Sequence, residues 1–180
     1  RGQRQMGIRD RETTDLKAVI HRSAREYADR PAVSILRGKT MQTHTYSQLG
    51  LDVEALGSEL FHRGVQGQKV ALLGENSYEW IVVMFAVMNG MNVLVPVDKE
   101  LSVEGMRHVL VDSGATVLFC SPKYAARLPE MCEGTGVQTT CRLDTELDQW
   151  ISAGNALLAG GYRAFSEKAI DVEETTAIFY

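Results

Sequence analysis

The sequence has little of what staples or punctuates a small fold: three cysteines and four prolines in 180 residues. Cys120, Cys132 and Cys141 are odd in number and too far apart for a zinc site built on close pairs, so neither a disulfide framework nor a structural metal is expected. Free, buried thiols in a reducing cytoplasm are the simpler reading. Positive charge is not in excess, since 19 Lys and Arg face 23 Asp and Glu for a net charge of −4, and a nucleic-acid footprint therefore has no global support. The N-terminus lacks the apolar core of a secretory signal, with Arg4, Arg9 and Arg11 where that core would begin.

Motifs that mark chemistry are scarce too. There is no Gly-x-Gly-x-x-Gly, no Gly-x-x-x-x-Gly-Lys-Ser/Thr loop and no Gly-x-Ser-x-Gly elbow. His21, His44, His62 and His108 lack metal-ligand spacing and read as surface or packing residues. Glu173-Glu174 reads as a charged loop rather than a catalytic pair, because adjacent strand residues point apart. No catalytic residue and no metal ligand is expected within the sequence.

What is present is the composition of one globular domain, 44% hydrophobic and 23% charged. The first 30 residues carry net +3 and the remainder net −7, which marks an N-terminal arm and helix with a solvated basic face, or a contact with acidic lipid or a partner. Leu16, Ile20 and Tyr27 share one face of a helix expected over 15–28, closed by Asp29-Arg30-Pro31. Runs at 32–36 and 40–45 flank Arg37-Gly38-Lys39 as a hairpin. Thr45 and Gln48 form a capping-box signature before Leu49, Val53, Leu56 and Leu60, and Gly64 suits the left-handed end of that helix.

Strand and helix then alternate. Strands are expected at 70–73, 92–95, 116–119, 137–141 and 176–180. Helices are expected at 80–88 behind an Asn76 and Glu79 cap, from Ser102 to Ser113-Gly114, at 123–131 and around Leu147 to Leu158. The uncharged run Trp80–Val97, close in length to a membrane span, is broken by Asn89-Gly90 and Pro96 and reads as a buried helix followed by a buried strand. Short apolar strands between amphipathic helices imply an α/β fold: a mainly parallel sheet with helices on both faces, preceded by an N-terminal helix and a β-hairpin. The organisation expected is an arm and helix over 1–30, a hairpin and helix over 31–64 and an α/β subdomain over 65–180.

The order of short motifs carries the reading further. Thr45-Tyr46-Ser47-Gln48-Leu49 resembles the first core motif of the adenylate-forming (AMP-binding) superfamily, and Gly90-Met91-Asn92-Val93-Leu94-Val95-Pro96-Val97-Asp98 resembles its second. Glu75-Asn76-Ser77-Tyr78-Glu79-Trp80 is similar to the family's turn and helix start, and Asp112-Ser113-Gly114-Ala115 to a helix stop common in it. Ala177-Ile178-Phe179-Tyr180 resembles the strand that leads into the superfamily's phosphate loop. The arm Ile8-Arg9-Asp10, the run Tyr27 to Ala32, and Leu147 to Gly154 followed by Ala169-Ile170-Asp171 lean toward long-chain fatty-acid CoA ligases.

The resemblance implies the N-terminal part of a large domain in an acyl-CoA synthetase. Such enzymes use ATP and Mg²⁺ to form an acyl-adenylate, then pass the acyl group to coenzyme A. The phosphate loop and the mobile C-terminal domain have no counterpart in these residues, so the chain is expected to be a piece of a longer protein and inactive alone. Thr45, Tyr46, Gln48, Asn76, Gly90, Pro96, Asp98 and Tyr180 are motif residues whose expected role is mainly structural. Lys123 and Arg127, after the strand at 116–119, are candidate coenzyme A phosphate contacts. The expected partners are a fatty acid and the rest of the chain, with a cytoplasmic or membrane-peripheral location and no transmembrane segment. Two other readings stay open: an adenylating enzyme for an aryl or amino acid, and a non-catalytic nucleotide- or partner-binding module, which the apolar edge at Tyr180 argues against.

Overall fold

The computed structural model describes residues 15–180, so the arm with Arg4, Ile8-Arg9-Asp10 and Arg11 lies outside the described residues. Helix α1 (Leu16–Glu26) begins where Asp15 Oδ1 accepts from the Ala18 N–H at 2.7 Å. Its buried face differs from the expected one. Ile20 is buried, but Leu16 and Tyr27 are 41% and 43% exposed, and Lys17 is turned inward instead. A lysine can take that position because its ammonium reaches two carbonyls, of Phe165 and Lys168, at 2.6 and 2.9 Å.

Strands β1 (Pro31–Arg37) and β2 (Thr40–Thr45) pair antiparallel with Leu36 opposite Met41 and Arg37 opposite Thr40. The turn between them uses Gly38 at φ 63°, a conformation that costs a side chain but not glycine. Helix α2 (Tyr46–His62) starts at Thr45, whose hydroxyl accepts from the Gln48 N–H at 3.2 Å. Only half of the capping box forms, because the Gln48 side chain runs forward to Asp52 Oδ1 at 2.8 Å rather than back. The chain leaves α2 through Gly64 at φ 79°.

Four parallel strands follow, β3 (Lys69–Leu73), β4 (Val93–Pro96), β5 (Val117–Cys120) and β6 (Thr139–Arg142), in the spatial order β4-β3-β5-β6. Between and after them lie α3 (Tyr78–Asn89), α4 (Val103–Ser113), a 3₁₀ turn (Pro122–Arg127), α5 (Leu128–Cys132) and α6 (Leu147–Ala159). The uncharged run thus divides into α3 and β4, and no described helix is long and apolar enough to cross a membrane.

Alternate strand residues separate two cores. Val70, Leu72, Leu94, Val117, Phe119 and Cys141 pack with α1, α2, α3 and α6, whereas Ala71, Leu73, Val95, Leu118 and Cys120 pack with α4 and α5. That is why the strands read as continuous apolar runs rather than alternating ones. Fully buried residues such as Leu72, Leu94 and Phe119 each contribute roughly 1.5–3 kcal/mol, against about 1 kcal/mol net for a ladder hydrogen bond, so burial on both faces decides the fold. Helices α2 and α6 approach so closely that a Cβ on Gly154 would collide with the Ala55 carbonyl.

The expected last strand is the main departure. Leu94 donates to the Thr176 carbonyl and accepts from the Ile178 N–H, both at 2.9 Å, but pairing stops at this single bridge to Ala177. Outward-facing groups on β4 belong to alternate residues, so the next donor would come from residue 96. Pro96 has no N–H to give, and the ladder loses its next rung.

Candidate functional site

The chain leaves β3 for β4 on one side and returns to β5 on the other, and this reversal opens a crevice at the carboxyl ends of β3 and β5. The β3–α3 turn supplies Glu75, Asn76 and Ser77, and the segment after β5 supplies Ser121 and Pro122 around a space of about 290 Å³. Ser121 Oγ, in a residue only 6% exposed, donates to Glu75 Oε2 at 2.7 Å, and Lys123 Nζ lies 3.5 Å from Glu75 Oε1. The Ser121 hydrogen bond foremost holds the Glu75 carboxyl below the usual range; burial opposes it, and a backbone hydrogen bond and Lys123 add to the lowering. Arg37 reaches across from β1 to Glu79 at 2.6 Å, and Arg142 pairs with Asp144 at 2.8 Å. Burial pushes Glu79 up, yet its backbone N–H, Ser77 and Arg37 together hold it below the ordinary value.

A larger cleft of about 600 Å³ opens between the hairpin and helices α2, α3 and α6, with Arg37 and Glu79 shared by both spaces. In it the His44 ring stacks on Tyr78 with centroids 3.5 Å apart and planes 6° from parallel. Tyr78 donates its hydroxyl to Asp52 Oδ2 at 2.7 Å, while Gln48 donates to the other carboxylate oxygen. Burial, with Asp52 beside it, pushes the Tyr78 hydroxyl far above its ordinary value, so it stays a protonated donor.

The motif residues are not gathered at one place. Thr45 and Gln48 line the cleft, and Tyr46 sits 6.3 Å from Tyr27, ring to ring, with its N–H on the Arg30 carbonyl. Asn76 is exposed and does not cap α3. Ser77 does, accepting from the Trp80 N–H at 3.1 Å, so α3 begins at Tyr78, two residues before the expected Trp80 and one after the start that an Asn76 cap would set. Gly90 is the C-cap of α3 and lies against Phe61, where a Cβ would come within 3.0 Å, while the left-handed residue is Met91 at φ 58°. Asp98 Oδ1 accepts from the Glu100 N–H at 2.9 Å, just beyond Pro96, and Tyr180 donates to Asp112 Oδ2 at 2.8 Å. Lys123 and Arg127 are both exposed on the 3₁₀ turn.

What this arrangement can do is hold elements in register. The cationic heads of Arg37, Lys123 and Arg142 each face a carboxylate, which leaves none of the three as an open anion seat. Among the described residues no group of three or more His, Cys, Asp or Glu could hold a metal ion. The pairs Ser121–Glu75 and Tyr78–Asp52 were beyond sequence reasoning, since partners 46 and 26 residues apart carry no local signature.

Comparison with known proteins agrees with this architecture. Residues 20–180 match the family described as "AMP-binding enzyme". Feruloyl-CoA synthase of Amycolatopsis sp is 35% identical over 91 residues, covering 50% of this chain and 18% of that protein. The fatty acid–[acyl-carrier-protein] ligase ScoC of Streptomyces coeruleorubidus is 31% identical over 102 residues, covering 56% of this chain and 19% of its own length. The Mycobacterium tuberculosis fatty acyl CoA synthetase superposes with a TM-score of 0.73 at 19% identity, over 91% of this chain and 32% of that one. The chain therefore spans about a fifth of the curated relatives' length and about a third of the solved enzyme. With the family match running from residue 20 to residue 180, the chain belongs to the AMP-binding enzyme family.

Proposed function

We propose that these residues form the N-terminal part of the AMP-binding domain of an ATP-dependent fatty-acid CoA ligase. The family match over 20–180 carries this reading. Likeness to ScoC, named for a fatty acid, supports the acyl substrate, and likeness to feruloyl-CoA synthase keeps an aryl acid as the second reading. The complete enzyme would join a carboxylate to the α-phosphate of ATP, with Mg²⁺ offsetting the charge, and then transfer the acyl group to the thiol of coenzyme A.

The described residues do not fit a triphosphate by themselves. An anion seat needs unpaired donors, and at the carboxyl edge Arg37, Lys123 and Arg142 are engaged by Glu79, Glu75 and Asp144. Phosphate chemistry is accordingly assigned to residues outside this chain. The role of this part is to keep the β3–α3 turn, the hairpin and the segment at 176–180 in fixed relation. Lys123 and Arg127 remain proposed contacts for the phosphates of coenzyme A, and Lys123 would have to exchange Glu75 for a phosphate to serve. Profiling the complete protein with carboxylic acids tests the substrate reading. Highest kcat/KM on long-chain fatty acids supports it, and preference for ferulate-like acids overturns it. Replacing Lys123 and Arg127 together by alanine in that enzyme is expected to raise KM for coenzyme A about tenfold with little change for the fatty acid. An unchanged KM would remove the contact.

A further inference from the structure

The segment after α6 contains one side chain that the core holds firmly, Phe165, and one unusual neighbour, Lys17. Lys17 is 9% exposed, its ammonium donates to the carbonyls of Phe165 and Lys168 at 2.6 and 2.9 Å, and it lies 5.1 Å from the centre of the Phe165 ring. Those carbonyls belong to a turn in which the Glu167 N–H bonds to Arg163 and the Lys168 N–H to Phe165. Beside it, Ser166 donates to Glu54 of α2, and His21 of α1 lies 3.6 Å from the same carboxylate. The Phe165 ring meets Phe61 edge-on at 5.4 Å and fills the space a side chain on Gly57 would need. A buried lysine is costly unless its charge is met, and here its ammonium hydrogen-bonds to two backbone carbonyls of one distant turn.

We infer that Lys17, with Glu54 and Phe165, is a clamp by which α1 and α2 position the segment leading to Ala177, and so fix where Thr176–Ile178 meets the edge of β4. Lys17 is a positioning residue in this scheme. It acts on the bridge through the connecting chain, touching neither Leu94 nor Ile178. With the turn held at Lys168, about seven residues separate it from Thr176; held only at the buried Phe165, about ten would, and loop closure then weakens the bridge about twofold. This inference concerns the chain's own conformation and does not depend on the ligase reading.

Amide hydrogen exchange reads it directly, because the Leu94 N–H bonds to Thr176 and the Ile178 N–H to Leu94, whereas the Val97 and Ser121 N–H groups bond to β3. In Lys17→Met, which keeps the apolar stem, exchange at Leu94 and Ile178 is expected to rise about twofold with Val97 and Ser121 unchanged. Ser166→Ala, a milder release from the Glu54 side, is expected to move the same two amides in the same direction by a smaller factor. Unchanged exchange at Leu94 and Ile178 in both variants would overturn the clamp. So would equal acceleration at all four positions, the signature of general destabilisation.

Discussion

At the scale of single residues, close packing and burial set the sharpest constraints. Gly154 on α6 leaves no room for a Cβ against the Ala55 carbonyl of α2, and backbone cannot move aside as a flexible side chain would. Gly154→Val is therefore expected to cost about 3 kcal/mol in urea unfolding, at the upper end of ordinary overpacking. The thiols give a pH signature. Burial pushes Cys120 up to about 12 and Cys141 higher still, while an unfolded thiol ionises near ~8.5. Above about pH 8.5 the unfolded chain releases protons that the folded chain keeps, so stability present below that pH falls as pH rises, by about 1–2 kcal/mol per thiol near pH 10. Cys120→Ala should show a shallower loss of urea midpoint than the parent between about pH 8 and about pH 10, and equal slopes would contradict it. The sequence pointed to unpaired, buried thiols, which holds for Cys120 and Cys141, whereas Cys132 is half-buried. It did not disclose Lys17, because a lysine on an amphipathic helix is ordinarily a surface residue and only the carbonyls of the distant turn make this one an exception.

At the scale of elements, caps and edge groups set where regular structure starts and stops. Ser77, rather than Asn76, accepts from the first turn of α3, so Ser77→Ala is expected to destabilise by about 1 kcal/mol and Asn76→Ala to change little, measured by urea unfolding. The reverse ranking would restore the cap first read from the sequence. The apolar runs announced β3, β4, β5 and the helices around them because each is buried on both faces. The strand at 176–180 was equally apolar but fell short, since strand length depends on the partner edge and that edge contains Pro96. Pro96→Ala supplies the missing donor, and its new amide should exchange slowly by bonding to the Ile178 carbonyl. Fast exchange there would mean that the chain itself, and not the proline, ends the pairing.

At the scale of the whole molecule, two hydrophobic cores separated by one parallel sheet leave the carboxyl edge as the place where loops gather, and its charges largely neutralise one another through Glu75–Lys123, Arg37–Glu79 and Arg142–Asp144. The alternation of strand and helix was legible from residue 65 onward, and the family from five motifs in order. The cleft with His44 stacked on Tyr78 was not, because it is made by the hairpin folding over α3, a contact between elements that neither sequence pattern contains. In the proposed function these residues are the scaffold of an adenylate-forming ligase and do not themselves activate a carboxylate. ATP–pyrophosphate exchange, with fatty acids of increasing length and the purified 180-residue chain, tests it most directly. No exchange above background is predicted with any acid, and robust fatty-acid-dependent exchange from this chain alone would contradict it.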